Sequence, residues 1–188
     1  MFLSNAVKHF ITITKHKLTV MDLCFKVGMI KQGLLHDLSK YSCEEFITGV
    51  KYYQGFRSPN TAEKLELGYS LAWLHHKGRN KHHFEYWIDY GINPSEGLMG
   101  MKMPLRYVLE MCCDRIAASK VYKGKDYNDA VAWEYYESRK HYMVIHDETR
   151  RLLEKVLLIN KEYGEKKALA FMRYMYKHPK LYDGREFK

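Results

Sequence analysis

Apolar residues recur at helical spacing along almost the whole chain, and only four prolines interrupt them. Pro59, Pro94, Pro104 and Pro179 each stand where a helix can begin or end. No run alternates polar and apolar residues long enough to build a sheet, and no internal repeat is present. The expectation is an all-α fold. One helix is expected over residues 4–15. A second, from His16, carries Val20, Leu23, Cys24 and Val27 on one face. A third covers "IKQGLLHDLSK", and a fourth runs over about 42–53, with Ser42 and Glu45 as a capping box. "TAEKLELGYSLAWLHHK" reads as one helix with Leu65, Tyr69, Ala72 and His76 in a stripe. "GINPSEGLMGMKM" reads as a loop, and Pro104 opens "PLRYVLEMCCDRIAASKVY". After Gly124 come three amphipathic helices rich in aromatic and charged residues. The expected organisation is a chemistry-bearing helical domain over 1–124 and a helical extension over 125–188 packed on it.

Bulk properties narrow the function classes. With 188 residues, 46% hydrophobic and 28% charged, the chain can bury a core and is not of disordered composition. No stretch approaches the roughly 20 apolar residues of a membrane helix, and the opening "MFLSNAVKHFITITKHK" does not read as a signal peptide. Cys24, Cys43, Cys112 and Cys113 lack CxxC spacing, which reads as reduced thiols in a cytoplasmic protein. The net charge of +9 suits an anionic partner: a phosphate ester, a nucleotide or nucleic acid.

Polar residues on apolar faces point to the chemistry. "GLLHDLSKYS" drives an apolar run into His36 and Asp37, and a buried charge is costly unless it is paired or bound to a metal. His16 heads the stripe of Val20, Leu23 and Val27. "LHHKGRNKHHFEYW" gathers His75, His76, His82 and His83, and Asp114 shares a helix face with Tyr107, Met111 and Ala118. Taken singly, each has an ordinary account: a core histidine bonded to a carbonyl, an aspartate paired with Arg106 or Arg115, a basic surface turn. Together they are the imidazoles and carboxylates that divalent metals prefer, gathered on helices of one small domain. His146-Asp147 is a contrast: no buried run leads into it, and it precedes a helix start, where an acid suits the dipole.

"HKLTVMDLCFKVGMIKQGLLHDLSK" and "EMCCDRIAAS" resemble the HD-domain metal-dependent phosphohydrolases over roughly residues 10–120. The finer pattern, with "HDLSKYS" and "MPLRYVLEMCCD", is similar to a bacterial and phage family without assigned activity within or near that superfamily. The resemblance implies an HD-like helical bundle in which His16, His36, Asp37 and Asp114 are the basic ligands. Relatives with two metals add histidines between the His-Asp pair and the last aspartate, and Asp37 then bridges. Helical phase favours His76 and His83 for that role, leaving His75 and His82 to contact substrate or orient ligands. One or two divalent ions are expected, among Fe, Mn, Ni, Zn and Mg. The expected reaction is hydrolysis of a nucleotide or other small phosphate ester by a metal-activated water. Asp37 and Lys40 stand at the reacting centre, Lys40 one helical turn from His36. Lys77, Arg79, Asn80 and Lys81 hold further phosphates. Two rivals remain: a di-iron oxygenase on the same scaffold, and a non-catalytic metal protein that binds nucleic acid.

Overall fold

The computed structural model describes residues 2–183, and among them it is all-α apart from one small hairpin. Helix α1, Phe2–Val27, runs unbroken through His16 where two helices were expected. Nothing between residues 4 and 27 breaks a helix, and His16 continues the buried phase of Ile13 and Val20. Helix α2, Ile30–Leu35, follows a tight turn at Gly28. It stops before the His-Asp pair instead of carrying it. His36 and Asp37 form a turn in which Asp37 adopts the left-handed conformation at φ 52°, and a 3-10 turn covers Leu38–Tyr41. Asp37 is the one non-glycine residue with positive φ among those described. Aspartate tolerates that region better than most residues, and strain of this kind concentrates at functional sites.

Helix α3, Cys43–Lys51, keeps half of the expected capping box: Ser42 Oγ accepts from the Glu45 amide, while the Glu45 carboxylate turns to His75 and His76. The expected single helix over 61–77 is two. Helix α4, Pro59–Leu67, ends on Gly68 at φ 82°, and α5, Leu71–Arg79, starts afresh with Ser70 accepting from the Trp73 amide at 2.9 Å. Glycine at the C-cap is an efficient helix stop. The Leu65–Tyr69–Ala72–His76 stripe therefore does not exist, and Leu65 and Tyr69 are exposed. The expected loop after residue 90 contains part of a hairpin: β1, Ile88–Tyr90, pairs antiparallel with β2, Leu98–Gly100.

Helix α6, Leu105–Lys123, begins directly after Pro104. Beyond it lie α7, Val131–Glu137, then α8, Asp147–Tyr163, α9, Glu165–Lys177, and α10, Lys180–Asp183. His146 caps α8, its Nδ1 accepting from the Glu148 amide, so the second His-Asp pair is a helix cap. One buried cluster joins both parts of the chain. Val20, Leu23 and Val27 of α1 meet Val108, Leu109 and Ile116 of α6, Leu153 and Leu157 of α8, and Met172 and Met175 of α9. Each such side chain contributes roughly 1.5–3 kcal/mol on burial. This core clamps α1 against α6 and fixes the positions of the polar residues the two helices carry. No helix among the described residues is long and apolar enough to cross a membrane.

Candidate metal centre

Asp37 sits at the centre of the polar cluster, and its two carboxylate oxygens face different neighbours. Oδ2 lies 3.3 Å from His36 Nε2 and 3.6 Å from His16 Nε2. Oδ1 lies 3.3 Å from His76 Nε2 and 3.4 Å from His82 Nε2. Asp114 completes the first side, with Oδ1 at 3.0 Å from His16 Nε2 and 3.7 Å from His36 Nε2. His83 completes the second. Two sets share Asp37, His16–His36–Asp37–Asp114 and Asp37–His76–His82–His83, and a third, His36–His82–Glu110, overlaps both. Within each, one donor atom per residue lies within 4.8 Å of every other.

Each contributor comes from a different local device. Helix α1 presents His16, and α6 presents Asp114 across the packed interface. The left-handed turn turns Asp37 away from the α2 axis. Helix α5 brings His76, and the turn after it brings His82 and His83.

The outward nitrogens of the imidazoles are already committed. Glu110 Oε1 accepts from His36 Nδ1 at 3.0 Å and faces His82 Nδ1 at 3.3 Å. Glu45 accepts from His76 Nδ1 through Oε2 and from His75 Nδ1 through Oε1, each at 2.7 Å. Such carboxylate–imidazole pairs fix the tautomer and aim the lone pair of Nε2 inward. The inward nitrogens of His36, His76 and His82 thus converge on a carboxylate that has no proton to share. Asp37 Oδ1 and Oδ2, His82 Nε2 and His83 Nε2 are buried without a hydrogen bond, although Lys40 Nζ lies 2.6 Å from Oδ2 as an ion pair. Lone pairs facing lone pairs in a buried site call for protons or cations between them.

The titration behaviour agrees. Burial opposes charge on Asp37, but His36, Lys40 and His76 outweigh it and hold its carboxyl well below the usual range. Asp114 behaves alike: burial is outweighed by hydrogen bonds from His16 and His36. His36 rises well above its ordinary value despite complete burial, because Asp37, Asp114 and Glu110 face it. His76 rises too, burial being outweighed by Asp37 and Glu45. His83 goes the other way, lowered by burial and by the neighbouring His82 and His76. The residues fit one cation per set, with Asp37 shared. Nitrogen and carboxylate donors in this mixture suit Zn, Mn, Fe or Ni.

Other expected site residues lie elsewhere. His82, expected at the substrate, points into the cluster instead; residues 80–83 are not helical, so helical phase could not choose within the doublet. His75 does not face Asp37 and shares Glu45 with His76. Lys40 reaches the cluster through the 3-10 turn, not along a helix from His36. Asn80 donates to Ser39 Oγ and to the His76 carbonyl, which holds the turn. Arg79 and Lys81 line a cavity that borders His82 and Glu110, and Lys77 does not line it. Glu45 and Glu110 were not anticipated. Glu110 precedes Asp114 by one helical turn, a signal the sequence carried; Glu45 was absorbed into the capping box.

The class defined by fold and site is an all-α bundle that encloses two facing sets of nitrogen and carboxylate donors. The chain belongs to a family of unknown function, DUF5662, whose match spans residues 5–159 and so takes in every cluster residue from His16 to Asp114. No curated protein and no solved structure matches the chain.

Proposed function

We propose that this protein is a metal-dependent phosphohydrolase acting on a nucleotide or another small phosphate ester in the cytoplasm. The observation that carries the reading is the divided carboxylate of Asp37, one oxygen turned to each donor set. Bound there, divalent cations polarise a phosphoryl oxygen and bring the pKa of water from 15.7 down to roughly 7. The chain's own groups do the rest. Asp37 and Asp114 supply two negative charges that offset those cations, and Glu110 and Glu45 keep the imidazoles aimed inward. Asp114 and Lys40 keep part of their side chains exposed, 16% and 27%, and we place the approach of substrate on their side. Lys40 then offers its ammonium to a phosphate oxygen while pairing with Asp37. The resemblance to HD-domain phosphohydrolases supports the same reading.

The test is turnover of a panel of phosphate mono- and diesters by protein loaded with Mn, Zn, Ni or Fe. Release of phosphate or of a nucleoside without oxygen is the expected result, with Lys40→Ala reducing it about 100- to 1,000-fold. Oxygen consumption by a form holding two irons, with no hydrolysis under any metal, would replace this reading with the oxygenase.

A further inference from the structure

Lys31, Arg79, Lys81 and Arg106 gather around one cavity of about 340 Å³. They reach it from three places: Lys31 from α2, Arg79 and Lys81 from the end of α5 and the turn after it, and Arg106 from the first turn of α6. Gln32 and Asn80 add amide groups to the lining. Glu110 is the one carboxylate in the lining, and its Oε1 is already engaged by two imidazoles. Among the described residues, none of the four cations is in an ion pair. Against them stand Glu110 in the lining and Glu44, which interacts with Arg79 at longer range, so cations outnumber the nearby acids and the cavity favours an anion. Two of them are also steadied by aromatic rings: Arg106 lies 4.9 Å from the Tyr107 ring centre and Lys81 5.5 Å from that of Tyr86.

Lys40 does not line this cavity. His82 turns Nε2 to Asp37 and Nδ1 to Glu110, and Glu110 and His82 line the cavity while Asp37, Asp114 and Lys40 do not. Glu110 and His82 are 5% and 2% exposed and are the residues that the cavity lining and the cluster share. The volume falls in the range of small-molecule sites, roughly 300–1,000 Å³.

We propose that this cavity is an accessory binding site for a polyphosphate group, distinct from the face at which hydrolysis is proposed. One phosphate carries about two negative charges at most, so four cations in one cavity match a di- or triphosphate better than a monophosphate. Two of the four are arginines, whose planar fork suits phosphate oxygens. The site stands on the cavity and its cations and needs no metal.

The experiment is a calorimetric titration of inorganic tripolyphosphate into the full chain, treated with chelator and dialysed. One site per chain is expected. Arg106→Glu and Lys31→Glu are each expected to weaken binding by more than about tenfold, as expected for loss and reversal of a direct phosphate contact. Lys166→Glu, the same charge change at an exposed position of α9, and Lys40→Ala are expected to stay within about twofold, since neither touches the cavity. Thermal melts of the two cavity variants establish that they are folded. The proposal is overturned by absence of binding to the unsubstituted protein. Equal weakening by Lys166→Glu would also overturn it, reducing the effect to net charge, as would loss of binding in Lys40→Ala, which would put the anion at the reaction face. Metal content is measured separately, so failure of the metal reading leaves this result interpretable.

Discussion

Asp37 joins the backbone and the chemistry of this protein in one residue. Its left-handed φ of 52° lets the chain leave α2 and enter a 3-10 turn, and its two oxygens divide the surrounding imidazoles. Asp37→Asn keeps the backbone preference and removes the charge. It is expected to lose metal from both sets, whereas His146→Ala, which touches only a helix cap, retains it; elemental analysis of the purified variants checks this. Glu110→Gln is subtler. It leaves every inward nitrogen in place but replaces the carboxylate that orients His36 and His82. A loss of about 10- to 100-fold in metal affinity is expected, read by competition with a chromophoric chelator. The residues legible in the sequence were polar groups on apolar stripes: His16, His36, Asp37 and Asp114. The place of His82 within the cluster was not legible because the turn that carries it has no helical phase to read, and His76 is reached through a stripe that Gly68 interrupts. Glu45 and Glu110 stayed hidden because an acid in a first turn or on a long helix has ordinary explanations.

Close approach between elements matters as much as their caps. Gly49 in α3 lies against His9 of α1, where an added Cβ would stand 2.1 Å from His9 Nε2. His9 is itself buried, and burial together with the charge of Lys40 lowers its pKa to about 4, so it stays neutral at physiological pH. Gly49→Ala is expected to destabilise the fold by about 1–3 kcal/mol through overpacking, measured by urea denaturation. An unchanged midpoint would mean that α1 and α3 can separate at no cost. The existence of the helices was readable from their period, and so were the Pro104 start and the Ser42 cap. The break at Leu35, the break at Gly68 and the hairpin over 88–100 were not. Each depends on where tertiary contacts place the ends of a short element, and three-residue strands carry no periodic signal.

The whole bundle shares one core across residue 124. Leu153 of α8 is fully buried in the same cluster as residues of α1 and α6, although it lies in the segment read from sequence as an extension. Leu153→Ala is expected to cost about 2–5 kcal/mol and to lower the midpoint of a single cooperative thermal transition. Two separate transitions would contradict the shared core. The cluster also couples folding to pH, and the sign follows from the directions of its shifts. In metal-free protein the raised values of His36 and His76 contribute stability that is complete below their ordinary 6.5 and lost as pH rises through the raised values. The lowered values of Asp37 and Asp114 contribute stability present above 3.8 and lost as pH falls through the lowered values. A divalent cation competes with the imidazole protons, so it takes over where the protonated histidines cease to contribute. The rise in Tm on adding Zn or Mn is therefore expected to be larger at about pH 8 than at about pH 5.5. A rise independent of pH would show the ion binding away from the histidines.

The measurement that bears most directly on the central claim is metal content per chain, by elemental analysis of protein purified without chelator and of the same protein reconstituted with Zn, Mn, Fe or Ni. The divided carboxylate of Asp37 predicts about two equivalents in the unsubstituted chain and a loss of both in Asp37→Asn. A chain that takes up no metal even on reconstitution, or an Asp37→Asn variant that holds as much as the unsubstituted protein, would contradict it.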